Sequence, residues 1–71
     1  MIHPTALVHK HTKIHTDAKI GPWCIVEEGV EIESGVVLEA RVRVVSGTKI
    51  KKNTIVYDGA VLGAAPQDLK Y

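Results

Sequence analysis

The stretch Cys24-Ile25-Val26-Glu27-Glu28-Gly29-Val30-Glu31-Ile32-Glu33-Ser34-Gly35-Val36-Val37-Leu38 repeats one pattern every six residues. A small or β-branched residue comes first, then an outward position, then an aliphatic residue, then a polar run that ends in glycine. Working outward from it, the aliphatic series is Ile2, Val8, Ile14, Ile20, Val26, Ile32, Leu38, Val44, Ile50, Val56 and Leu62, without a break. The small series lies four residues later: Ala6, Thr12, Ala18, Cys24, Val30, Val36, Val42, Thr48, Thr54, Ala60 and Pro66. A third series contains Asp17, Gly29, Gly35, Gly47, Asn53 and Gly59, residue types that tolerate a left-handed backbone. Internal periodicity of this kind is the signature of a stacked repeat.

The small residue and the next aliphatic residue are two apart, so they share one face of a short extended strand. Ala6 and Val8 point one way, Leu7 and His9 the other. Two turn positions follow, with Pro4 and Pro22 at the first and Gly or Asn recurring at the second, the chemistry of a type II-like corner. A helical reading fails because no i, i+3, i+4 stripe persists and glycines recur through the chain. The expectation is an all-β parallel β-helix whose inward ladders are Ile2-Ile20-Leu38-Val56, Val8-Val26-Val44-Leu62 and Ile14-Ile32-Ile50.

Composition agrees with a narrow aliphatic interior. Phe is absent, and only Trp23, Tyr57 and Tyr71 are aromatic. The chain has 71 residues, enough for one small domain. Nine basic residues balance eight acidic ones, so charge makes no case for a nucleic-acid or membrane-surface partner. No signal peptide and no membrane-spanning run is read, and a cytoplasmic location is expected. The single Cys24 excludes an internal disulfide and a CxxC metal site, and its place in the small inward series makes it a buried apolar residue rather than a reactive thiol.

The outward positions divide by face. Lys13-Glu31-Lys49 and His15-Glu33-Lys51 alternate in sign, as on a solvated wall. Leu7, Ile25 and Val61, with Val37, Ile55 and Tyr57, put aliphatic and aromatic groups on the other two faces, which are expected to be a subunit interface. His3, His9 and His15 are six apart and fall on successive faces, and His11 sits at a corner. They cannot converge within one chain, so no metal site is expected.

The pattern breaks at the end. The next aliphatic position would be Asp68, preceded by Pro66 in the small position. A carboxylate in an aliphatic interior is costly, so residues 1–63 are expected to form the repeat and residues 64–71 to begin a substrate-site loop.

The hexapeptide pattern resembles the hexapeptide-repeat family, which implies a left-handed parallel β-helix of about four triangular coils with three hexapeptides per coil. Gly63-Ala64-Ala65-Pro66-Gln67-Asp68-Leu69-Lys70-Tyr71 is similar to the signature of the acyl-[acyl-carrier-protein]–UDP-N-acetylglucosamine O-acyltransferase family. The opening Ile2-His3-Pro4-Thr5-Ala6 and the segment Ile20-Gly21-Pro22-Trp23-Cys24-Ile25-Val26 are similar to it as well. The resemblance implies transfer of a 3-hydroxyacyl chain from acyl carrier protein to UDP-N-acetylglucosamine, opening lipid A synthesis, in a homotrimer without metal or organic cofactor. It implies that Gln67 and Asp68 contact the sugar nucleotide and that Lys70 is a basic residue at the same site. It also implies a catalytic histidine in later coils and a C-terminal helical domain, neither of which is expected among these residues, so the chain alone is expected to be inactive. A non-catalytic trimeric β-helix, and another UDP-sugar acyltransferase of the same fold, are the alternatives.

Overall fold

In the computed structural model, which describes residues 1–63, the hexapeptides become ten two-residue strands. These are β1 (Leu7–Val8), β2 (Lys13–Ile14), β3 (Lys19–Ile20), β4 (Ile25–Val26) and β5 (Glu31–Ile32), followed by β6 (Val37–Leu38), β7 (Arg43–Val44), β8 (Lys49–Ile50), β9 (Ile55–Val56) and β10 (Val61–Leu62). Each strand is an outward residue followed by an aliphatic inward one, because only two residues fit between consecutive corners.

Three parallel sheets result, β1-β4-β7-β10, β2-β5-β8 and β3-β6-β9, giving three full coils and part of a fourth. Each strand from β1 to β7 pairs with the third strand after it. Leu7 lies against Ile25 and Val8 against Val26, and Val26 in turn lies against Val44. Ile20 lies against Leu38 and Leu38 against Val56, while Ile14, Ile32 and Ile50 stack in the third ladder. Ile2 joins the foot of its ladder by a single bridge to Ile20. These are the three inward ladders read from the sequence.

The core is these ladders plus the small residues between them. Val26, Val30, Val36, Val42 and Val44 are at most 1% exposed. Each such aliphatic side chain contributes about 1.5–3 kcal/mol on leaving water. No polar or charged residue is buried among the described residues.

Corners are where the sequence reading needs correction. Gly29, Gly35, Gly47, Gly59 and Asn53 do adopt the left-handed region, but Asp17 does not. Trp23 and Arg41, which occupy the same turn position, do, at φ 61° and 57°. From Trp23 onward this turn position is left-handed even where the side chain is large, at about 1–2 kcal/mol for a non-glycine residue. Gly35 shows what glycine adds there. A Cβ on it would sit 2.1 Å from Asn53 Oδ1, which packs directly over it in the next coil.

Candidate functional site

Gly63 is the last described residue. Gly63 follows Leu62 at the outward position where Glu27, Glu33 and Tyr57 stand in earlier hexapeptides. None of those three has positive φ, whereas Gly63 has φ 80°. A Cβ on Gly63 would meet Thr48 Oγ1 at 1.8 Å. The backbone conformation at Gly63 therefore differs from that of the earlier residues at this place in the repeat. The substrate-binding candidates Gln67, Asp68 and Lys70, with the rest of segment 64–71, lie outside the described residues.

The face of β2, β5 and β8 is the charged wall. Lys13, Glu31 and Lys49 stack as read from the sequence. The ion pair forms diagonally, however, between Lys49 Nζ and Glu33 Oε2 at 3.4 Å. Lys13, His15, Ser34 and Lys52 border an open groove on this wall. It offers donors and acceptors to solvent, but no enclosed cavity.

Three glutamates near the corners have a task that residue spacing did not reveal. Glu27 accepts the amide of Ser46 at 3.0 Å, Glu33 that of Lys52 at 3.0 Å, and Glu39 that of Asp58 at 3.3 Å. Each carboxylate reaches the first turn position of the coil above. Asp17 does the same for Gly35, at 2.9 Å, and also accepts from the Ser34 hydroxyl at 2.8 Å. The Ser46 amide, then the Arg43 guanidinium, hold the Glu27 carboxyl below its ordinary range. The Lys52 amide, then Lys49, do so for Glu33, and the Gly35 amide, then Ser34, for Asp17.

The exposed apolar groups gather on one side. Among the described residues the exposed large apolar side chains are Met1, Ile2, Leu7, Trp23, Ile25, Ile55, Tyr57 and Val61; Met1 and Ile2 lie at the open foot of the coil, and the others on the other two faces or at the corner between them. The outward ladder there reads Leu7, Ile25, Arg43, Val61, so a charge interrupts the apolar strip expected from the sequence. Arg43 is tied sideways to Glu27, with Nη2 2.6 Å from Oε2. Arg41 pairs with Asp58 at the neighbouring corner. The left-handed Trp23 and Arg41 were missed because neither residue type signals that backbone.

Cys24 is fully buried and its thiol donates to the Glu39 carbonyl at 2.9 Å, which leaves it inert in the core. The histidines are spread over the first coil, and among the described residues no three His, Cys, Asp or Glu side chains come together as a metal site. No helix of the described residues is long and apolar enough to cross a membrane.

Fold and surface together define a parallel β-helix of the hexapeptide-repeat type. No family model matches the chain. Individual relatives do. The chain is 44% identical to the acyl-[acyl-carrier-protein]–UDP-N-acetylglucosamine O-acyltransferase of Saccharophagus degradans and 46% identical to that of a Psychrobacter species, over 70 residues and 99% of this chain in both cases. It is 40% identical to the protein of the same name from Rickettsia peacockii, again over 99% of its length. The resemblance to this acyltransferase family therefore extends over nearly every residue. The chain spans about a quarter of the length of these curated relatives, 26–27%.

Proposed function

We propose that this chain is the N-terminal part of an enzyme that transfers a 3-hydroxyacyl chain from acyl carrier protein to the 3-hydroxyl of UDP-N-acetylglucosamine, the first step of lipid A biosynthesis, in the cytoplasm. The observation that carries the reading is the similarity over 99% of the chain to acyltransferases of one name from separate bacteria. In this reading residues 1–63 supply the first coils of the scaffold. Gln67, Asp68 and Lys70 contribute to the sugar-nucleotide site, Asp68 by accepting from sugar hydroxyls or by orienting a cationic group. All four histidines here fall at His15 or earlier, so the general base belongs to sequence outside these 71 residues. The enzyme needs no metal or organic cofactor and works as a homotrimer. The gathering of exposed apolar side chains on two faces supports burial of those faces between copies.

The test is acyl transfer from 3-hydroxyacyl carrier protein to UDP-N-acetylglucosamine. It is run on the 71-residue chain and on the reading frame extended beyond Tyr71. The short chain is expected to show no turnover, since a general base contributes about 10²–10⁴-fold to rate. The extended protein should be active, and Asp68→Ala in it should weaken sugar-nucleotide use at least about tenfold. Turnover by the short chain would place the base within it. Wild-type kinetics for Asp68→Ala would remove Asp68 from the site.

A further inference from the structure

The first coil is built differently from those above it. In the later coils the second turn position is left-handed at every corner: Trp23, Gly29, Gly35, Arg41, Gly47, Asn53 and Gly59 all have φ between 57° and 80°. The corresponding residues of the first coil are Thr5, His11 and Asp17, and none has positive φ. What closes these corners is an imidazole. The Thr5 amide donates to His3 Nδ1 at 3.2 Å, the His11 amide to His9 Nδ1 at 3.0 Å, and the Asp17 amide to His15 Nδ1 at 3.2 Å. Histidine stands two residues before the turn position at all three corners of the first coil and at none of the later ones.

The residues held in this way carry the next coil. In later coils the turn amide donates to a backbone carbonyl below, as Arg41 does to Pro22 and Gly47 to Glu28. Onto the first coil, Trp23 and Gly35 instead donate to side chains, Thr5 Oγ1 at 2.9 Å and Asp17 Oδ1 at 2.9 Å, while Gly29 donates to the His11 carbonyl at 2.8 Å. Each corner contact between the first and second coils therefore passes through a residue whose amide an imidazole nitrogen fixes.

We propose that the first coil is a proton-sensitive closure, held shut by unprotonated Nδ1 atoms of His3 and His9 and released at those two corners when the atoms take up a proton. An amide N–H can only donate, so the nitrogen it meets must carry a lone pair, which fixes the ring proton on Nε2. A proton added at Nδ1 turns acceptor into donor and sets two N–H groups against each other.

The surroundings separate the three corners. His3 has the Thr5 hydroxyl 2.9 Å from Nδ1, with Lys19 and Met1 beside it and no carboxylate lining that side. His9 lies against the His11 ring, with centroids 5.4 Å apart, and below Glu27 and Glu28. Glu27 already has partners there in Arg43 and Ser46, and Glu28 Oε2 faces His11 Nδ1 at 3.8 Å. His15 differs, because Asp17 Oδ1 stands 2.7 Å from Nδ1, with Glu33, Lys13 and Lys52 further along the same groove. A proton on His15 Nδ1 is donated in a hydrogen bond to Asp17 Oδ1, so that corner stays closed through the imidazole–carboxylate contact.

Amide hydrogen exchange read residue by residue at about pH 8 and about pH 5, the interval in which imidazole changes charge, tests this. Corrected for intrinsic rates, the Thr5, His11, Trp23 and Gly29 amides should lose protection on the order of tenfold at the lower pH, the size of one lost hydrogen bond. Gly35 and the core amide of Val44 should keep theirs. His3→Asn with His9→Asn places a carboxamide oxygen, which takes no proton in this range, where Nδ1 was, and should remove the pH dependence. Equal protection at both pH values would overturn the proposal, as would loss extending to Val44 or an unchanged acid response in the Asn variant. Ring nitrogen NMR at the higher pH gives a reading that needs no variant: an Nδ1–H tautomer at His3 or His9 would overturn it directly.

Discussion

Asp17, Glu27 and Glu33 illustrate how much one side chain can settle in a solenoid. Parallel strands satisfy their own amides, but corner amides have no strand partner and would meet water. The three carboxylates take them instead, from Gly35, Ser46 and Lys52 of the coil above. Glutamate at these places is, in the sequence, only the polar residue that follows an aliphatic position. In the structure it is a link between coils. These amide bonds are the largest influence holding the three carboxyls below their ordinary range. A carboxyl depressed on folding contributes stability that is fully present above its unfolded value, 3.8 for Asp17 and 4.5 for the glutamates, and that disappears as pH falls through the lower folded value. The urea midpoint is therefore expected to hold on acidification until the pH reaches these unfolded values, and to drop below them. The variant Asp17→Asn/Glu27→Gln/Glu33→Gln, which keeps acceptor oxygens but cannot ionise, should show a weaker drop. An identical acid profile in that variant would mean that the links do not govern acid stability.

At the scale of the element, the unit is the ladder rather than the strand. A two-residue strand has almost no stability of its own, and each is held by parallel neighbours above and below and by the aliphatic stack behind it. Val44 sits in the middle of such a stack, fully buried between Val26 and Leu62. Val44→Asp places an unpaired carboxylate where no polar partner exists, at a cost of several kcal/mol. Because a domain this small has little stability to lose, the substitution is expected to abolish the β-sheet circular-dichroism signal. A folded Val44→Asp protein with native-like melting would contradict the ladder assignment. Corners show the opposite dependence. Their positions follow from the six-residue period, yet Trp23 and Arg41 take the left-handed backbone at the turn position that glycine or asparagine fills elsewhere in these coils.

Over the whole molecule, charge is layered along the axis and apolarity is divided by face. The second coil carries Glu27, Glu28, Glu31 and Glu33 against Lys19, and the third carries Arg41, Arg43, Lys49, Lys51 and Lys52 against Glu39. Arg43–Glu27 and Lys49–Glu33 join these layers, and Arg41–Asp58 joins the third to the fourth. Exposed pairs of this kind are each worth only about 0–1 kcal/mol, so their effect is to favour this stacking order over a slipped one rather than to hold the coils together. The apolar faces are the other asymmetry. If they meet between copies, Ile25→Lys with Val61→Lys should dissociate the assembly in light scattering, while Lys13→Ser with Lys49→Ser on the charged wall should leave it intact. A wild-type chain that stays monomeric at high concentration would argue against any such interface.

The sequence alone determined the coil. Its inward ladders, the charged wall and the buried Cys24 follow from a period of six, because alternation along a strand and stacking between coils are fixed by spacing once a residue's place in the repeat is known. Only the tertiary structure decided which turn residues are left-handed, that Arg43 divides the apolar ladder, and that carboxylates and imidazoles close the corners. Those outcomes depend on the distance and direction from a side chain to an amide in another coil or across a turn, and a repeat pattern records which residues stack but not where their polar atoms reach.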